Sequence, residues 1–290
     1  LKHPAPQHSR AHRVKVIGSL SPHRASLCDI FDMVRRVLVT GANKGIGLAI
    51  ANRCLSDFED VHVVLGCRNV QRGTAALDSL LASTPAWKGR LSLLEMDTSS
   101  DTSVFAAAKK LSADLGAGET LYAICNNAGI AAGSPSEIFE TNVRGPRRVD
   151  SAFLAMLDKQ LGRIVNISSG SASQCVTKCS SERQAFFCDP AVTWEGIEAL
   201  MTEVNGFPGG IQDFESHGLG TAMGAYGLSK ALLNSYTMLV ARQHPNLRVN
   251  GCSPGMIDTD LISSFLPWFV PGFVGSCLAR KCMGALTPDE

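Results

Sequence analysis

The chain has 290 residues, 45% hydrophobic and 18% charged, so it can bury a substantial core and is not a disordered protein. Its 27 basic and 26 acidic residues leave a net charge of +1, which gives no long-range attraction to nucleic acid or to acidic membranes. Ten cysteines are too few for a disulfide scaffold at this length. None forms a C-x-x-C pair (Cys175 and Cys179 come nearest), so we expect reduced thiols and no metal site.

Residues 1–33 differ in composition from the rest of the chain. They contain five basic residues, two acidic residues and four of the seven histidines, with no acid before Asp29. This composition resembles an organelle transit peptide, and it fits equally well a non-native leader before a true start at Met33. We therefore expect an extension at 1–33 and a single domain at 34–290. The domain is expected in the cytoplasm unless the extension directs it to an organelle.

From Val34 onward, short apolar runs alternate with helix-length amphipathic segments. The runs predicted as buried strands are Val37–Val39, Val61–Leu65, Leu91–Leu94, Leu121–Cys125, Arg163–Ile167 and Leu247–Gly251. Helical segments such as Ser100–Leu115 and Ala222–Ala241 separate them. Apolar strands joined by helices predict an α/β fold in which helices cover a parallel sheet on both faces, giving three α/β/α layers.

The segment 261–279 contains no charged residue, but two prolines and two glycines interrupt it. A membrane-spanning helix needs about 20 predominantly apolar residues in an unbroken run. We therefore expect no membrane partner and interpret residues 256–280 as a hydrophobic lid over a substrate pocket.

The first predicted strand leads directly into a glycine-rich turn that is followed by a helix. The turn reads Thr40-Gly41-Ala42-Asn43-Lys44-Gly45-Ile46-Gly47. Glycines at this spacing allow a tight turn and the close approach of a pyrophosphate, whose charge the helix N-terminus favours. No Gly-Lys-[Ser/Thr] follows at P-loop spacing. The strand–turn–helix context predicts a dinucleotide site in a Rossmann-type, doubly wound sheet.

The end of the second predicted strand indicates which dinucleotide is bound. NAD sites usually place a carboxylate there for the ribose 2′-hydroxyl. This chain has Gly66-Cys67-Arg68-Asn69 instead. Arg68 can bind a 2′-phosphate, and Lys44 in the glycine turn adds a second positive charge. The cofactor predicted by this pattern is NADPH/NADP+.

Tyr226 and Lys230 are four residues apart, so they share one face of a predicted helix. A free phenol has a pKa of about 10, and a nearby ammonium lowers that pKa toward neutrality. Ser169 closes the fifth strand, at the edge where open α/β sheets bind ligands. Its hydroxyl can hydrogen-bond a substrate carbonyl oxygen. These three residues predict proton transfer beside a cofactor that carries hydride.

Further motifs occur in chain order. They are Asn126-Asn127-Ala128-Gly129, Asn142, Ile167-Ser168-Ser169, Tyr226-Gly227-Leu228-Ser229-Lys230 and Pro254-Gly255-Met256-Ile257-Asp258-Thr259-Asp260. Together with the glycine turn, they resemble the short-chain dehydrogenase/reductase family in order, spacing and context. The resemblance extends from Val34 to about Asp260.

The resemblance implies a role for each residue of the site. Tyr226 would be the general acid, Lys230 would lower its pKa and bind the nicotinamide ribose, and Asn142 would hold a water linked to Lys230. Ser169 matches the catalytic serine, and Ser168 would be structural. The cofactor-binding positions that it implies are Gly41, Asn43, Lys44, Gly45, Ile46, Gly47, Arg68, Asp97, Thr98, Asn127, Ala128, Gly129, Tyr226, Lys230, Pro254, Gly255, Ile257 and Thr259.

The segment between Ser169 and Tyr226 is much longer than the dozen or so residues that most family members have there. Part of it, at about 172–222, contains a helical pattern, with Ile197, Leu200, Met201 and Val204 on one face. An insertion here resembles the monomeric carbonyl reductase branch of the family. It would cover the surface that other members use to form tetramers, so the resemblance implies a monomer.

The resemblance to this branch implies NADPH-dependent reduction of a ketone, aldehyde or quinone. Apolar residues of the predicted lid suggest an apolar or aromatic carbonyl substrate; they are Leu261, Phe265, Trp268, Phe269 and Phe273. Two alternatives stay open, an NADP-dependent alcohol or steroid dehydrogenase and a catalytically weak, truncated or regulatory NADP-binding protein. The catalytically weak protein is an alternative because of the last residues, Thr287–Glu290, which predict the start of a helix. Family members normally continue with that helix and a last edge strand.

Overall fold

A computed structural model describes residues 34–116 and 118–255 of the chain. The predicted extension at 1–33 and the whole of the predicted lid at 256–280, with the cofactor positions Ile257 and Thr259, lie outside these residues.

The described part of the chain contains one six-stranded sheet. Its strands are β1 (Arg35–Thr40), β2 (Val61–Cys67), β3 (Leu91–Glu95), β4 (Leu121–Asn126), β5 (Arg163–Ile167) and β6 (Arg248–Cys252). All neighbouring strands are parallel, and their order across the sheet is β3-β2-β1-β4-β5-β6. This confirms the predicted doubly wound fold, because the chain leaves β1 toward one edge and returns at β4 toward the other.

Helices connect the strands. They are α1 (Gly45–Asp57), α2 (Val70–Ser83), α3 (Asp101–Asp114), α4 (Pro135–Phe139), α5 (Gly145–Phe153), α6 (Gly170–Val176), α7 (Ser181–Cys188), α8 (Trp194–Asn205) and α9 (Gly224–Gln243). A π-helical turn at Glu140–Arg144 joins α4 to α5. Side-chain caps explain several starts, since Asn69, Ser100 and Thr193 each accept a hydrogen bond from an amide of the first turn.

Helices cover both faces of the sheet, as the apolar strands predict. On β1, Val37 and Val39 belong to a core shared with α1 and α2, whereas Leu38 belongs to the larger core on the opposite face. Successive side chains of a strand point to opposite faces, so burial of all three requires a helix layer on each side. The ligand crevice of such a sheet lies at the carboxyl ends of β1 and β4, where the strand order reverses.

The long segment between β5 and α9 folds into α6, α7 and α8, followed by two short 3₁₀ turns. The predicted face of α8, marked by Ile197 and Met201, is buried in the larger core. Helix α9 begins at Gly224 and not at the predicted Ala222. Met223 adopts a left-handed backbone with φ of 60°, which a right-handed helix cannot contain.

Candidate active site

The glycine turn lies between β1 and α1 and has the backbone that its glycines permit. Gly41 and Gly45 have φ of +65° and +54°, a region that disfavours other residues. A Cβ on Gly47 would lie 2.5 Å from both the Asn127 amide nitrogen and the Gly41 carbonyl oxygen. Lys44 occupies the N-cap position of α1 and its side chain does not cap the helix. The first-turn N–H groups of α1 therefore suit a phosphate.

Thr40 and Asn127 connect this turn to the loop after β4. The Thr40 hydroxyl oxygen accepts hydrogen bonds from the backbone N–H groups of Asn127 (3.0 Å) and Ala128 (2.9 Å). The Asn127 side-chain amide donates in return to the Thr40 carbonyl oxygen at 2.8 Å. These bonds fix the two loops that border the crevice. Sequence reasoning missed Thr40, although a hydroxyl at the carboxyl end of β1 was the available signal.

Positive side chains lie near the carboxyl end of β2. Arg68 is exposed and follows β2 directly. An open groove of about 520 Å³ is lined by Asn43, Lys44, Arg72, Ala75 and Ala76. Arg72, in the first turn of α2, thus faces the same groove as Lys44. Sequence reasoning did not assign Arg72 to the site, although its position four residues after Arg68 was a usable signal.

Two other predicted positions, Asp97 and Thr98, follow β3. The Asp97 carboxylate accepts hydrogen bonds from the Ser99 amide (3.0 Å) and the Ser99 hydroxyl (2.7 Å), so it stabilises its own turn. Thr98 is buried, and its carbonyl oxygen accepts a hydrogen bond from Arg148 at 2.7 Å.

Pro254 and Gly255 follow β6 at the same edge of the sheet, and Gly255 has φ of +80°. Together with the loops after the other strands, they border the carboxyl edge of the sheet.

Asn142 lies in the π-helical turn and is fully buried. Its side chain accepts a hydrogen bond from the Ile130 amide and donates to the Ile130 carbonyl, both at 2.8 Å. It also donates to the Ser229 hydroxyl at 3.0 Å. Asn142 therefore joins the loop after β4 to α9. A π turn inside a helical segment is frequently found at functional sites. The water predicted at Asn142 stays a prediction.

Tyr226 and Lys230 lie in the first two turns of α9, and only 6% and 5% of their surfaces are exposed. The Lys230 ammonium donates a hydrogen bond to the Ile167 carbonyl oxygen at 2.8 Å and lies 5.7 Å from the centre of the Tyr226 ring. A Cβ on Gly129 would lie 3.6 Å from the Lys230 nitrogen and 3.2 Å from the Asn142 side-chain oxygen. Lys230 and Asn142 therefore meet beside the glycine of the loop after β4.

The two serines after β5 have different surroundings. The Ser168 hydroxyl is buried and donates to the Asn234 side-chain oxygen at 2.7 Å. Ser169 caps α6 and accepts a hydrogen bond from the Ser171 hydroxyl at 2.8 Å. Ser169 also hydrogen-bonds Tyr226 in the first turn of α9, whereas Ser168 bonds Asn234 further along the same helix. The roles predicted for the two serines stay predictions.

Burial determines the protonation of this cluster. It raises the pKa of the Tyr226 phenol above its ordinary value, and the hydrogen bond from Ser169 lowers that pKa in part. Burial also lowers the pKa of the Lys230 ammonium to about 8. Burial and the Ser169 hydrogen bond are the two effects that set the pKa of Tyr226 here, and a lowering by Lys230 stays a prediction. Tyr226 stays a protonated hydrogen-bond donor at neutral pH.

The described residues bring Ser169, Tyr226, Lys230 and Asn142 together at the carboxyl ends of β4 and β5. The glycine turn and its cations lie across the switch point, at the ends of β1 and β2. A proton donor, a second hydroxyl and a buried cation can together stabilise charge on a carbonyl oxygen.

Within residues 34–116 and 118–255, no group of histidine, cysteine and acidic side chains could hold a metal ion. No helix in this part of the chain is long and apolar enough to cross a membrane.

Comparison with known proteins places the chain among oxidoreductases. Residues 35–181 match the protein-family model for short chain dehydrogenases. The chain is 33% identical to carbonyl reductase (NADPH) 1 of Homo sapiens over 240 residues, which cover 77% of this chain and 82% of that protein. It is 30% identical to (+)-neomenthol dehydrogenase of Arabidopsis thaliana over 257 residues, covering 78% of this chain and 84% of that protein.

A solved structure shows the same relationship. The NADPH-bound carbonyl reductase from chicken fatty liver is 26% identical in sequence and superposes with a TM-score of 0.58. The match covers 89% of this chain and 84% of that one.

Proposed function

Because the chain belongs to the short-chain dehydrogenase/reductase family, in its carbonyl reductase branch, we propose that it reduces a ketone, aldehyde or quinone with NADPH. The observation that carries this proposal is the cluster of half-buried Ser169 with buried Tyr226, Lys230 and Asn142. The human relative and the chicken structure are named as carbonyl reductases, and both names include NADPH. A panel of quinones, aldehydes and ketones with NADPH tests the proposal, since turnover of none of them would contradict it.

The residues of the crevice fit a nicotinamide dinucleotide. Gly41 and Gly47 leave no room for a Cβ, and the amides of the first turn of α1 can bind a pyrophosphate. We assign binding of the nicotinamide ribose to the buried ammonium of Lys230. When bound, the cofactor supplies hydride to the carbonyl carbon.

The positive groove beside the glycine turn supports NADPH over NADH. Lys44 and Arg72 line it, Arg68 follows the second strand, and Gly66-Cys67-Arg68-Asn69 contains no carboxylate for a ribose 2′-hydroxyl. A phosphate near charge −2 gains from each cation through charge-assisted hydrogen bonds. We therefore assign the 2′-phosphate to this groove.

Arg68→Asp tests the assignment. Loss of a hydrogen bond to a charged group costs about 1.5–3 kcal/mol, so the dissociation constant of NADPH should rise about 10- to 150-fold. Binding of NADH should be nearly unchanged. Fluorescence titration with both cofactors measures the difference, and Lys109→Asp, the same charge change at an exposed position of α3, is the control. Equal weakening of both cofactors by Arg68→Asp would contradict the assignment, and Arg72→Asp would show whether that cation shares the task.

The protein's part in the reaction is to orient the carbonyl and to deliver a proton. Tyr226 stays protonated at neutral pH because burial raises its pKa, so it can donate its proton to the carbonyl oxygen. The Ser169 hydroxyl donates its one proton to Tyr226 in the structure. With a substrate bound, that proton would turn to the carbonyl oxygen, which would then accept from both hydroxyls. Lys230 places a positive charge near the phenolate that Tyr226 becomes. Asn142 holds the neighbouring loop against α9.

The serine pair gives an internal control. Ser169→Ala should lower kcat about 100-fold, the usual loss for one hydrogen-bond donor to a developing oxyanion. NADPH affinity should be unchanged. Ser168→Ala removes a hydroxyl of the same size one residue away but breaks the bond to Asn234, so it should lower the midpoint of thermal unfolding more than kcat. Steady-state kinetics and a thermal melt of both variants measure this, and the reverse pattern would reassign the serines.

We also propose that the protein is a monomer. Helix α8 covers α5 and α9, because Trp194 packs edge-to-face on Tyr236 (ring centres 5.9 Å apart) and the Arg147 guanidinium lies 4.0 Å from the centre of the Trp194 ring. An ion pair between Glu198 and Arg144 also links α8 to the π-helical turn. Light scattering should therefore give a mass near 30.8 kDa. A stable tetramer would contradict this use of the inserted helices.

One relative favours the opposite direction of reaction. The Arabidopsis protein is named a dehydrogenase of neomenthol, which is an alcohol. An NADP-dependent alcohol dehydrogenase would use the same four residues, with Tyr226 accepting the proton. Comparison of the specificity constants in both directions at neutral pH decides between the two, and we expect reduction to be the faster.

A further inference from the structure

Ser169 and Tyr226 lie at the N-terminal ends of two different helices, α6 and α9. Tertiary contacts between these helices fix the position of one residue relative to the other. Ser169 is the N-cap of α6, and Tyr226 lies in the first turn of α9, more than 50 residues later in the chain. Gly220, in the loop before α9, packs directly on α6. A Cβ on Gly220 would lie 2.1 Å from the Cys175 carbonyl oxygen, so only glycine allows this contact.

Two cysteines bind both backbone groups of Gly220. The Gly220 N–H donates to the Cys179 sulfur at 3.1 Å, and the Cys175 thiol donates to the Gly220 carbonyl oxygen at 3.4 Å. The Cys179 thiol donates in turn to the Cys175 carbonyl oxygen at 3.4 Å. We name Cys175, Cys179 and Gly220 the thiol clamp. Its two cysteines form the C-x-x-x-C pair noted in the sequence. The proposed reaction assigns no role to either of them.

The environment of these thiols favours a structural role over a reactive one. Cys175 is 0% exposed and Cys179 is 7% exposed. Burial raises the pKa of the Cys175 thiol to about 12, so it is neutral at physiological pH. Only the thiolate is a strong nucleophile or metal ligand. A neutral thiol instead donates and accepts weak hydrogen bonds, as it does in the clamp.

The clamp lies next to the proposed proton donor. A Cβ on Gly227, the residue after Tyr226, would lie 3.4 Å from the Cys175 Cβ. Cys175 therefore contacts the chain on both sides of Tyr226, through Gly220 before it and Gly227 after it. Because the same cysteine belongs to the helix that Ser169 begins, a shift of the clamp changes the distance between the two hydroxyls.

We propose that Cys175, Cys179 and Gly220 are positioning residues that set the Tyr226 hydroxyl against the Ser169 hydroxyl. This inference rests on the proposed reductase function for its kinetic consequence. Its geometric consequence, the hydrogen bond between Tyr226 and Ser169, can be measured without any substrate.

The test compares Cys179→Ala and Gly220→Ala with wild type. Cys179→Ala leaves the Gly220 N–H without its acceptor, and Gly220→Ala forces the loop away from α6. Cys179→Ser should keep much of the wild-type behaviour, since a serine oxygen can also accept a hydrogen bond from the Gly220 N–H. The matched control is Cys188→Ala, the same change at an exposed cysteine of α7.

Two readouts apply to each variant. The first is kcat, KM and the NADPH dissociation constant with an aldehyde. The second is the ¹³C resonance of the tyrosine Cζ, which responds to hydrogen bonding of the hydroxyl. The protein has three tyrosines, and the signal lost in Tyr226→Phe identifies that of Tyr226.

We expect kcat to fall about 10- to 100-fold in Cys179→Ala, as small misplacements of catalytic groups do. KM and the NADPH dissociation constant should stay within about twofold. The kcat is expressed per NADPH-binding site, so that a smaller folded fraction does not account for its fall. The Tyr226 resonance should move in the same direction as in Ser169→Ala. Cys179→Ser should recover most of kcat, and Cys188→Ala should match wild type.

An unchanged Tyr226 resonance in folded Cys179→Ala and Gly220→Ala would overturn the proposal and reduce the clamp to core packing. If Gly220→Ala does not fold, Cys179→Ala alone decides. If wild type reduces no carbonyl, the proposed function fails and the resonance still decides whether the clamp positions Tyr226.

Discussion

Tyr226→Phe should bind NADPH like wild type and reduce an aldehyde about 10²- to 10⁴-fold more slowly in kcat, the usual contribution of a general acid. The substitution removes only the hydroxyl, and the aromatic ring that packs beside Lys230 stays in place. Lys230 and the glycine turn, to which we assign cofactor binding, are unchanged, so the loss should not fall in NADPH affinity. Single-turnover oxidation of NADPH measures the rate, and fluorescence titration measures cofactor binding.

The choice of substrate and control makes this prediction strict. A quinone accepts hydride with less help from an acid, so an aldehyde is the more demanding acceptor. Tyr122→Phe removes the same atom from a tyrosine on β4 and should reduce the aldehyde at the wild-type rate. A Tyr226→Phe variant as fast as Tyr122→Phe would show that another group donates the proton.

Lys230→Met should weaken NADPH binding and slow reduction together, because we assign the ammonium two tasks. Methionine is similar in length, so the buried position stays filled while the charge and the hydrogen bond to Ile167 are lost. We expect kcat to fall at least 100-fold, as for loss of a charged group that stabilises the transition state. Titration with NADPH and steady-state kinetics separate the two effects. Unchanged NADPH affinity in this variant would contradict the assignment of ribose binding to Lys230.

The pH dependence of wild type gives an independent test of Lys230. Burial lowers its pKa to about 8 in the free protein, so the ammonium is present below that pH and is lost as the pH rises through it. The kcat/KM for NADPH reports ionisations of the free enzyme, so this quantity should fall above about pH 8. The pKa of Tyr226 is raised by burial, so the Tyr226 phenol is still protonated there. Lys230→Met should lack this decline, and a decline that persists in the variant would belong to another group.

Much of the fold follows from local sequence patterns. The apolar runs predicted all six described strands to within two residues at either end. The predicted burial was wrong for β6, most of which is exposed. The glycine turn was equally predictable, since Gly41 and Gly45 adopt positive φ and Gly47 leaves no room for a Cβ. The order of the motifs along the chain identified the family.

Other parts of the site depend on contacts that no local pattern encodes. The hydrogen bonds of Thr40 to the loop after β4 join residues far apart in the chain. The place of Arg72 in the groove depends on where α2 begins. The pKa of Tyr226 is raised because the phenol is buried, and burial is known only from the packed structure. The thiol clamp likewise depends on how the inserted helices pack.

The account depends most on hydride transfer from NADPH to a carbonyl carbon. The direct measurement uses NADPH that carries deuterium at the transferred position of the nicotinamide, an aldehyde accepted by the enzyme, and mass spectrometry of the product. We expect one deuterium in each alcohol molecule and one NADP+ formed per alcohol. Alcohol without deuterium, or consumption of the cofactor without alcohol, would contradict the proposed reaction.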